Sequence, residues 1–385
     1  MGVLPHFQRN ETSGTHPNPL LGRRTALFLE TFSHVSSCKY LRIASDNAFI
    51  PSLGEKELKT KYMQITIEPY QPSFAEEWDN FVWQANNGTI FHTRRFLNYH
   101  PPDRFEDHSL IFKKERRVVA LFPATVRFEQ HRRILTSHRG ASYGGLVSKF
   151  DVGIKDTFDI VEALIHYAKE QQFQGVELTP PPIIYYHRPS HYVDFALIKN
   201  GFGYRKREIS SVIPLTFGES DVLYTFSPES RRAVRRGVKL GVMVRECEEY
   251  ETFYQILKRN LKMRHNVTPT HTLDELVLLK KLFPDRIRLF GAFVEQQMVA
   301  GVVMFITNQR VVLAFYISHN EDLQQYRGVN CLFFEIIKWA IREKYAYLDF
   351  GIFTVNMDPN WGLGRFKESF GAQGIFRDTL LKYFD

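Results

Sequence analysis

The chain is poor in cysteine: Cys38, Cys247 and Cys331 stand far apart in 385 residues, with no Cys-x-x-Cys pair and no paired framework. A reducing compartment, the cytoplasm, fits that usage best. Cys331 lies in the apolar run CLFFEIIKWAI and reads as a core residue rather than a nucleophile. No stretch reaches the roughly 18 apolar residues of a membrane span. No signal peptide is expected, because ALFLETF is too short for its apolar centre and lacks a small-residue cleavage site. The spacing of His265 and His271 is not a metal-ligand pattern, and a metal site is not expected. There is no sustained heptad, and no RNP, KH or helix-turn-helix signature.

Aromatics are abundant instead. With 33 Phe, 18 Tyr and 44% hydrophobic residues the chain is not of disordered composition, and its length allows two cores. The formal charge of +8 suits anionic partners: CoA phosphates, a nucleotide-linked precursor or tRNA. Charge alone does not choose among them.

Residues 1–62 are turn-rich and aperiodic, and from Met63 the pattern becomes orderly. We expect 1–62 to be a poorly ordered N-terminal extension, or to precede the true start at Met63; a genuine N-terminal arm is the alternative. The remainder reads as two halves, 63–205 and 206–385. In the second, VVLAFYIS (311–318) leads through a loop to a helix at 331–344 and then to the strand YAYLDFG. In the first, ASYGGLVS (141–148) leads to a helix near 157–171 and the strand GVELTP. An offset of 172 aligns Val161 with Phe333, Leu164 with Ile336, Ala168 with Ala340 and Glu177 with Asp349. A strand–helix–strand unit repeated at a domain-sized interval suggests duplication. Further strands are expected at RVVALFPATVRF, RRILTS, GVMVREC, RIRLFGAFV and QMVAGVVMFI, and helices near 75–85, 228–238, 250–264 and 273–282. Thr272 to Glu275 reads as a capping box and Ser227-Pro228 as an N-cap with Pro at the first helical position.

Several clusters could carry chemistry. Gln324-Gln325-Tyr326-Arg327-Gly328-Val329-Asn330 lies between a strand and a helix, where unpaired N–H groups can hold an anion. Asn330 would also serve as an N-cap. In SPESRRAVRRGVKLG, Arg231, Arg232, Arg235, Arg236 and Lys239 crowd one helix, and Gly237 and Gly241 are expected to end it. That face either contacts a polyanion or is solvated. In NLKMRHNVTPTHT, His265 could accept a proton from an amine and Arg264 could grip a carboxylate or phosphate; His271 also falls there. Around Tyr143, Gly144 and Gly145 the glycines permit close backbone approach to a ligand, or serve only tight packing. Asp349 ends an apolar strand, and Lys367 stands between Phe366 and Phe370 in GRFKESFG, beside Arg365. The two could act together, carboxylate on an amine and ammonium on an oxyanion, or simply pair.

The run YLDFGIFTVNMDPNWGLGRFKESFGA (347–372) resembles the closing motif of Fem-type acyltransferases, a branch of the GNAT superfamily. The likeness extends over about 63–385. It implies an α/β protein of two tandem GNAT-like domains, each a mixed, mostly antiparallel sheet flanked by helices. It implies transfer of an acyl or aminoacyl group from acyl-CoA or aminoacyl-tRNA to a primary amine, on a small-molecule or nucleotide-linked acceptor, by direct attack. The donor would lie in the second domain, near Gln325, Gly328 and Asn330, with backbone N–H groups near Phe315 and Tyr316, where GNAT strands splay, polarising the carbonyl. The corresponding loop of the first half, LVSKFDVGIKDT, lacks the family's Gln/Arg-x-x-Gly-x-Gly pattern, and that half would shape the acceptor side, through Tyr143, Gly144 and Gly145. Arg232, Arg236, Arg264 and Arg365 would meet an anionic substrate. Asn330 stands where the family has Gly or Ala, which leaves open a duplicated GNAT fold that binds an anionic ligand without catalysis. The missing heptad makes tRNA the less favoured donor, and a nucleic-acid-binding role through the Arg231–Lys239 helix ranks last.

Overall fold

A computed structural model describes residues 65–265 and 268–384, and only the backbone at 263–265. The expected extension 1–62 lies outside the described residues. In chain order the first half contains β1 (Ile65–Pro69), α1 (Ala75–Gln84), β2 (Leu110–Lys114), β3 (Arg117–Phe122), β4 (Ala124–Glu129), β5 (Arg132–Ser137), β6 (Val147–Ser148), α2 (Ile154–Glu170), β7 (Gly175–Leu178), α3 (Tyr192–Lys199) and β8 (Gly203–Pro214). The second contains α4 (Pro228–Lys239), β9 (Met243–Cys247), α5 (Tyr250–His265), α6 (Leu273–Leu282), β10 (Ile287–Val294), β11 (Gln297–Ile306), β12 (Val311–His319), α7 (Gly328–Arg342), β13 (Tyr347–Ile352), β14 (Thr354–Val355), β15 (Asp358–Pro359), α8 (Trp361–Glu368) and β16 (Gln373–Tyr383).

The apolar run 117–128 is two strands rather than one. Pro123 has no N–H for a ladder, and the chain breaks there. β3 enters a four-stranded sheet, β1-β2-β3-β6, and β4 enters a ten-stranded sheet, β4-β5-β7-β16-β8-β13-β12-β11-β10-β9. Pairing is antiparallel except at β5–β7 and β12–β13. The fold is thus mixed α/β, with mostly antiparallel sheets flanked by helices.

The two parallel pairs mark the repeat. Gly175, Val176 and Glu177 pair with Ile134, Leu135 and Thr136. At the 172 offset, Tyr347, Leu348 and Asp349 pair with Val311, Val312 and Leu313. The crossover helices α2 and α7 bury the aligned residues Val161 and Phe333, Leu164 and Ile336, Ala168 and Ala340. The strand that opens the first unit is β5, however, not 141–148. Residues 138–146 form a loop, and only Val147 and Ser148 of that run are strand.

The halves exchange their last strands. β8, which follows the first half, pairs with β13. β16, the last of the described strands, pairs with β7. β8 and β16 then pair antiparallel in the middle of the large sheet. One face of the second-half sheet is covered by α7, whose Leu332, Phe333, Ile336 and Ile337 are fully buried. Each such side chain contributes about 1.5–3 kcal/mol. Against the other face lie α5, α6 and aromatic residues of the first half, Phe91, Tyr143 and Tyr185 among them.

Candidate active site

The parallel pairing of β12 and β13 stops at Leu313 and Asp349, and the strands part. Just beyond, the register of β12 against β11 shifts: Val303 pairs with Tyr316 and Met304 with Ala314, so Phe315 is a bulge. A bulge re-aims side chains beside a site. Here Phe315 and Tyr316 both join the aromatic core shared with the first half. The Phe315 ring stacks on Phe305 at 4.4 Å.

Asp349 is fully buried at the mouth of this gap. Ser210 Oγ donates to Oδ1 at 2.6 Å and the Gly351 N–H at 2.7 Å. Tyr185 and Tyr143 reach Oδ2 with their hydroxyls at 2.7 and 3.1 Å. A carboxylate with this many donors is compensated without a cation. Burial raises both phenols well above their ordinary range, and the neighbouring carboxylate adds to the effect.

Lys367 on α8 is buried too, but it does not pair with Asp349. Its ammonium donates to the carbonyls of Gly351 and Ile352 at 2.7 and 2.8 Å. It clamps the bend at Gly351, whose φ of +72° suits glycine. Burial pulls its pKa down to about 8, and Asp349 opposes that shift. Arg365, on the same helix, is exposed.

The basic helix and the Gln325–Asn330 loop meet. Helix α7 starts at Gly328, preceded by Arg327 in the left-handed region. Asn330 is therefore its third residue rather than its N-cap, and its amide reaches Ser230 Oγ at 3.4 Å. A Cβ on Gly328 would stand 2.8 Å from Val299, so this glycine lets the helix start approach β11. Gln325 lies exposed in the preceding 3-10 turn, Glu321–Tyr326. Helix α4 runs through Gly237 and stops at Lys239, with Gly241 at φ +80° beyond it. Gly237 does not end the helix. A Cβ there would lie 2.4 Å from Cys331 Sγ and 2.8 Å from the Tyr326 carbonyl, so its role is close packing of α4 on α7. That contact sets Arg232, Arg236, Arg327 and Asn330 around one cleft of about 390 Å³ at the N-terminus of α7. Helix N–H groups and the guanidinium groups of Arg236 and Arg327 suit an anion, while Arg232 is shared at 3.0 Å with Glu229, which also lines the cleft. Ser227 caps α4 as expected, and the Thr272–Glu275 capping box opens α6.

On the opposite face, a cavity of about 210 Å³ is lined by Phe91, Tyr99, Arg139, Thr270, His271 and Phe315, among others. Sequence reasoning singled out His265 and Arg264, whose side chains lie outside the described residues. It is the buried His271 that lines this cavity. The Tyr316 hydroxyl accepts the His271 backbone N–H at 3.1 Å and lies 2.8 Å from its ring Nδ1. Burial lowers the His271 pKa to about 4. At neutral pH the ring is uncharged.

Tyr143 and Gly144 line a third cavity, of about 220 Å³, between the halves. The glycine N–H groups are already engaged: Gly144 donates to the Thr179 carbonyl at 2.8 Å and Gly145 to Ser137 Oγ at 2.9 Å. The same cavity contains Glu208, which no sequence pattern marked. A lone Glu in a strand gives no signal until its neighbours in the sheet are known.

Comparison with known proteins agrees with this architecture. Residues 226–368 match the family model of an acetyltransferase (GNAT) domain. No curated protein matches the sequence. Among solved structures the chain is similar to FemX, at a TM-score of 0.64 and 11% identity, over 83% of this chain and 97% of that one. It is also similar to the C-terminal domain of a putative lysylphosphatidylglycerol synthetase from Agrobacterium fabrum, at 0.51 and 11%, over 81% and 92%. L-PGS from Bacillus licheniformis follows at 0.51 and 12%, over 82% and 92%. At these identities the likeness is one of fold, and it upholds the Fem-like GNAT resemblance at that level.

Proposed function

We propose that this chain, which carries a GNAT domain in a Fem-like fold, transfers an acyl or aminoacyl group from acyl-CoA or aminoacyl-tRNA to a primary amine. The observation that carries this reading is the cleft at the start of α7. A helix N-terminus, Arg232, Arg236 and Arg327 converge there on one side of the sheet. On the other side, where β12 and β13 part, an aromatic cavity holds His271 and Phe315. Donor phosphates would sit in the cleft and the acyl carbon near the Phe315 bulge. The acceptor would come from the first-half side, and the two domains would divide the task along the expected 63–205 and 206–385 halves. The amine nitrogen would bond to the acyl carbon as the bond to sulfur or ester oxygen breaks, and the leaving group or solvent would take the amine proton. Arg232 and Arg236, assigned from sequence to the substrate, would belong with Asn330 on the donor.

Reversing Arg232 and Arg236 to Glu tests this. Acetyl-CoA affinity, measured by calorimetry at low ionic strength, is expected to fall about tenfold or more and to lose most of its salt dependence. Binding equal to wild type at both low and high salt would remove the donor from this cleft. A second reading rests on Asn330, whose side chain lies in the cleft itself: a duplicated fold that binds an anion without transfer. It predicts acetyl-CoA binding with no acylation of any amine in a panel.

A further inference from the structure

Glu208 is a buried carboxylate with little to compensate it. Its side chain is 5% exposed. Oε2 receives a single long N–H, from Met357 at 3.4 Å. Oε1 takes part in no hydrogen bond among the described residues, and the Lys206 ammonium stands 3.9 Å from it. Glu177, in the same cavity, is a useful contrast. It accepts from Thr136 Oγ1 at 3.0 Å and is paired with Arg127 and Arg205 at 3.2 and 2.9 Å. Burying a carboxylate without such partners is costly, and sites that do so usually complete the set with something else.

The position of Glu208 says what that could be. Residues 208 and 210 of β8 stand two apart and so share a face of the sheet, roughly 7 Å from each other along the strand. Ser210 is bonded to Asp349 at the parting of β12 and β13. Ile352, whose carbonyl Lys367 holds, lines the same 220 Å³ cavity as Glu208. Arg377, also in its wall, is occupied elsewhere: its guanidinium donates to the Ser142 carbonyl and lies over the Tyr143 ring at 4.9 Å. Lys206 is 39% exposed and loosely held. The cavity, whose wall also includes Arg139, therefore has one carboxylate held only by the distant Lys206, beside the expected point of transfer.

We infer that this cavity binds the amino group of the acceptor as an ammonium ion, with Glu208 selecting an amine over a neutral alcohol. The inference rests on the acyl-transfer reading for its meaning, but binding can be read without any donor. The test uses the full chain and two probes of matched length, cadaverine and 1,5-pentanediol, titrated by calorimetry at low salt. Wild type is expected to bind the diamine and not the diol. Glu208→Gln, nearly isosteric, should weaken diamine binding about tenfold or more. Lys206→Met removes the competing ammonium and should tighten diamine binding, by about threefold or more. Acetyl-CoA binding is measured on the same preparations and should be unchanged in both variants. Equal diamine binding by wild type and Glu208→Gln overturns the inference, as does no diamine binding by wild type. Should Glu208→Gln fail to fold, unchanged or weaker binding by Lys206→Met overturns it instead. Failure of acetyl-CoA alone, with diamine binding intact, strikes acyl-CoA as the donor and leaves the ammonium site standing.

Discussion

At the scale of single residues, Lys367 shows how a position can be legible while its partner is not. Two phenylalanines around a lysine marked a held side chain, and the lysine is indeed buried. Its partners, the carbonyls of Gly351 and Ile352, depend on a backbone bend that no residue pattern announces. Burial brings its pKa from the ordinary 10.5 down to about 8. Between those values the unfolded chain holds a proton that the folded chain has released, so stability rises with pH across that window. The gain is complete above about 10.5 and is lost as pH falls through about 8. Urea midpoints at pH 7.5 and 9.5 should show the rise in wild type and its absence in Lys367→Met. The same variant leaves the bend without its clamp, and turnover per folded molecule is expected to drop by up to about 10²-fold. The histidines act at the other end of the scale. His271, His138 and His92 are each lowered to about 4 by burial. Their contribution to stability is full above about pH 6.5 and is lost as pH falls through about 4. His271→Gln should flatten that acid limb in a series of melting temperatures, and an unaltered limb would show that this ring is not among its sources.

At the scale of elements, local signals served well wherever a residue type has one mechanical meaning. The strands 132–137 and 297–306 and the helix 273–282 have the expected bounds, because alternation, turns and a capping box all lie within a few residues of each other. Glycine was harder, since it can end a helix or let another one approach. Gly237 fits a helix stop by sequence and is a contact in the fold. The sequence around it, with a second glycine four residues on, fits both meanings, and only the presence of Cys331 across the gap decides. Gly237→Ala should therefore cost about 1–3 kcal/mol by overpacking and push α4 away from α7. Chemical denaturation reads the first effect. Acetyl-CoA affinity reads the second, and should weaken although no group in the cleft has changed. A variant as stable as wild type with full affinity would mean the two helices yield at no expense.

At the scale of the whole molecule, the duplication was visible in the 172 offset because helix periodicity and a strand ending repeat together. The exchange of β8 and β16 was not visible, because the pairing of a strand with one more than 150 residues away leaves no trace in local composition. Asp349 and Glu208 acquire their surroundings only through that exchange: Ser210 of β8 and the first-half residues Tyr143 and Tyr185 all bond the Asp349 carboxylate. Ending the chain at Ala372 would remove a central strand and leave β7 and β8 as open edges. We expect that truncation to show no cooperative melting transition by near-ultraviolet circular dichroism; a sharp transition near the wild-type midpoint would mean the halves are independent. The placement of β16 also bears on how the protein is made. A ribosome delivers the N-terminal half first, yet the strand that closes its sheet emerges well over a hundred residues later. At ordinary elongation rates roughly 10–30 s separate β8 from β16. Through that interval the nascent chain carries unpaired strand edges of the kind that recruit other chains. Crowded polysomes should thus be a hazardous place for this chain, and faster elongation between the two strands, or a waiting chaperone, should raise its yield.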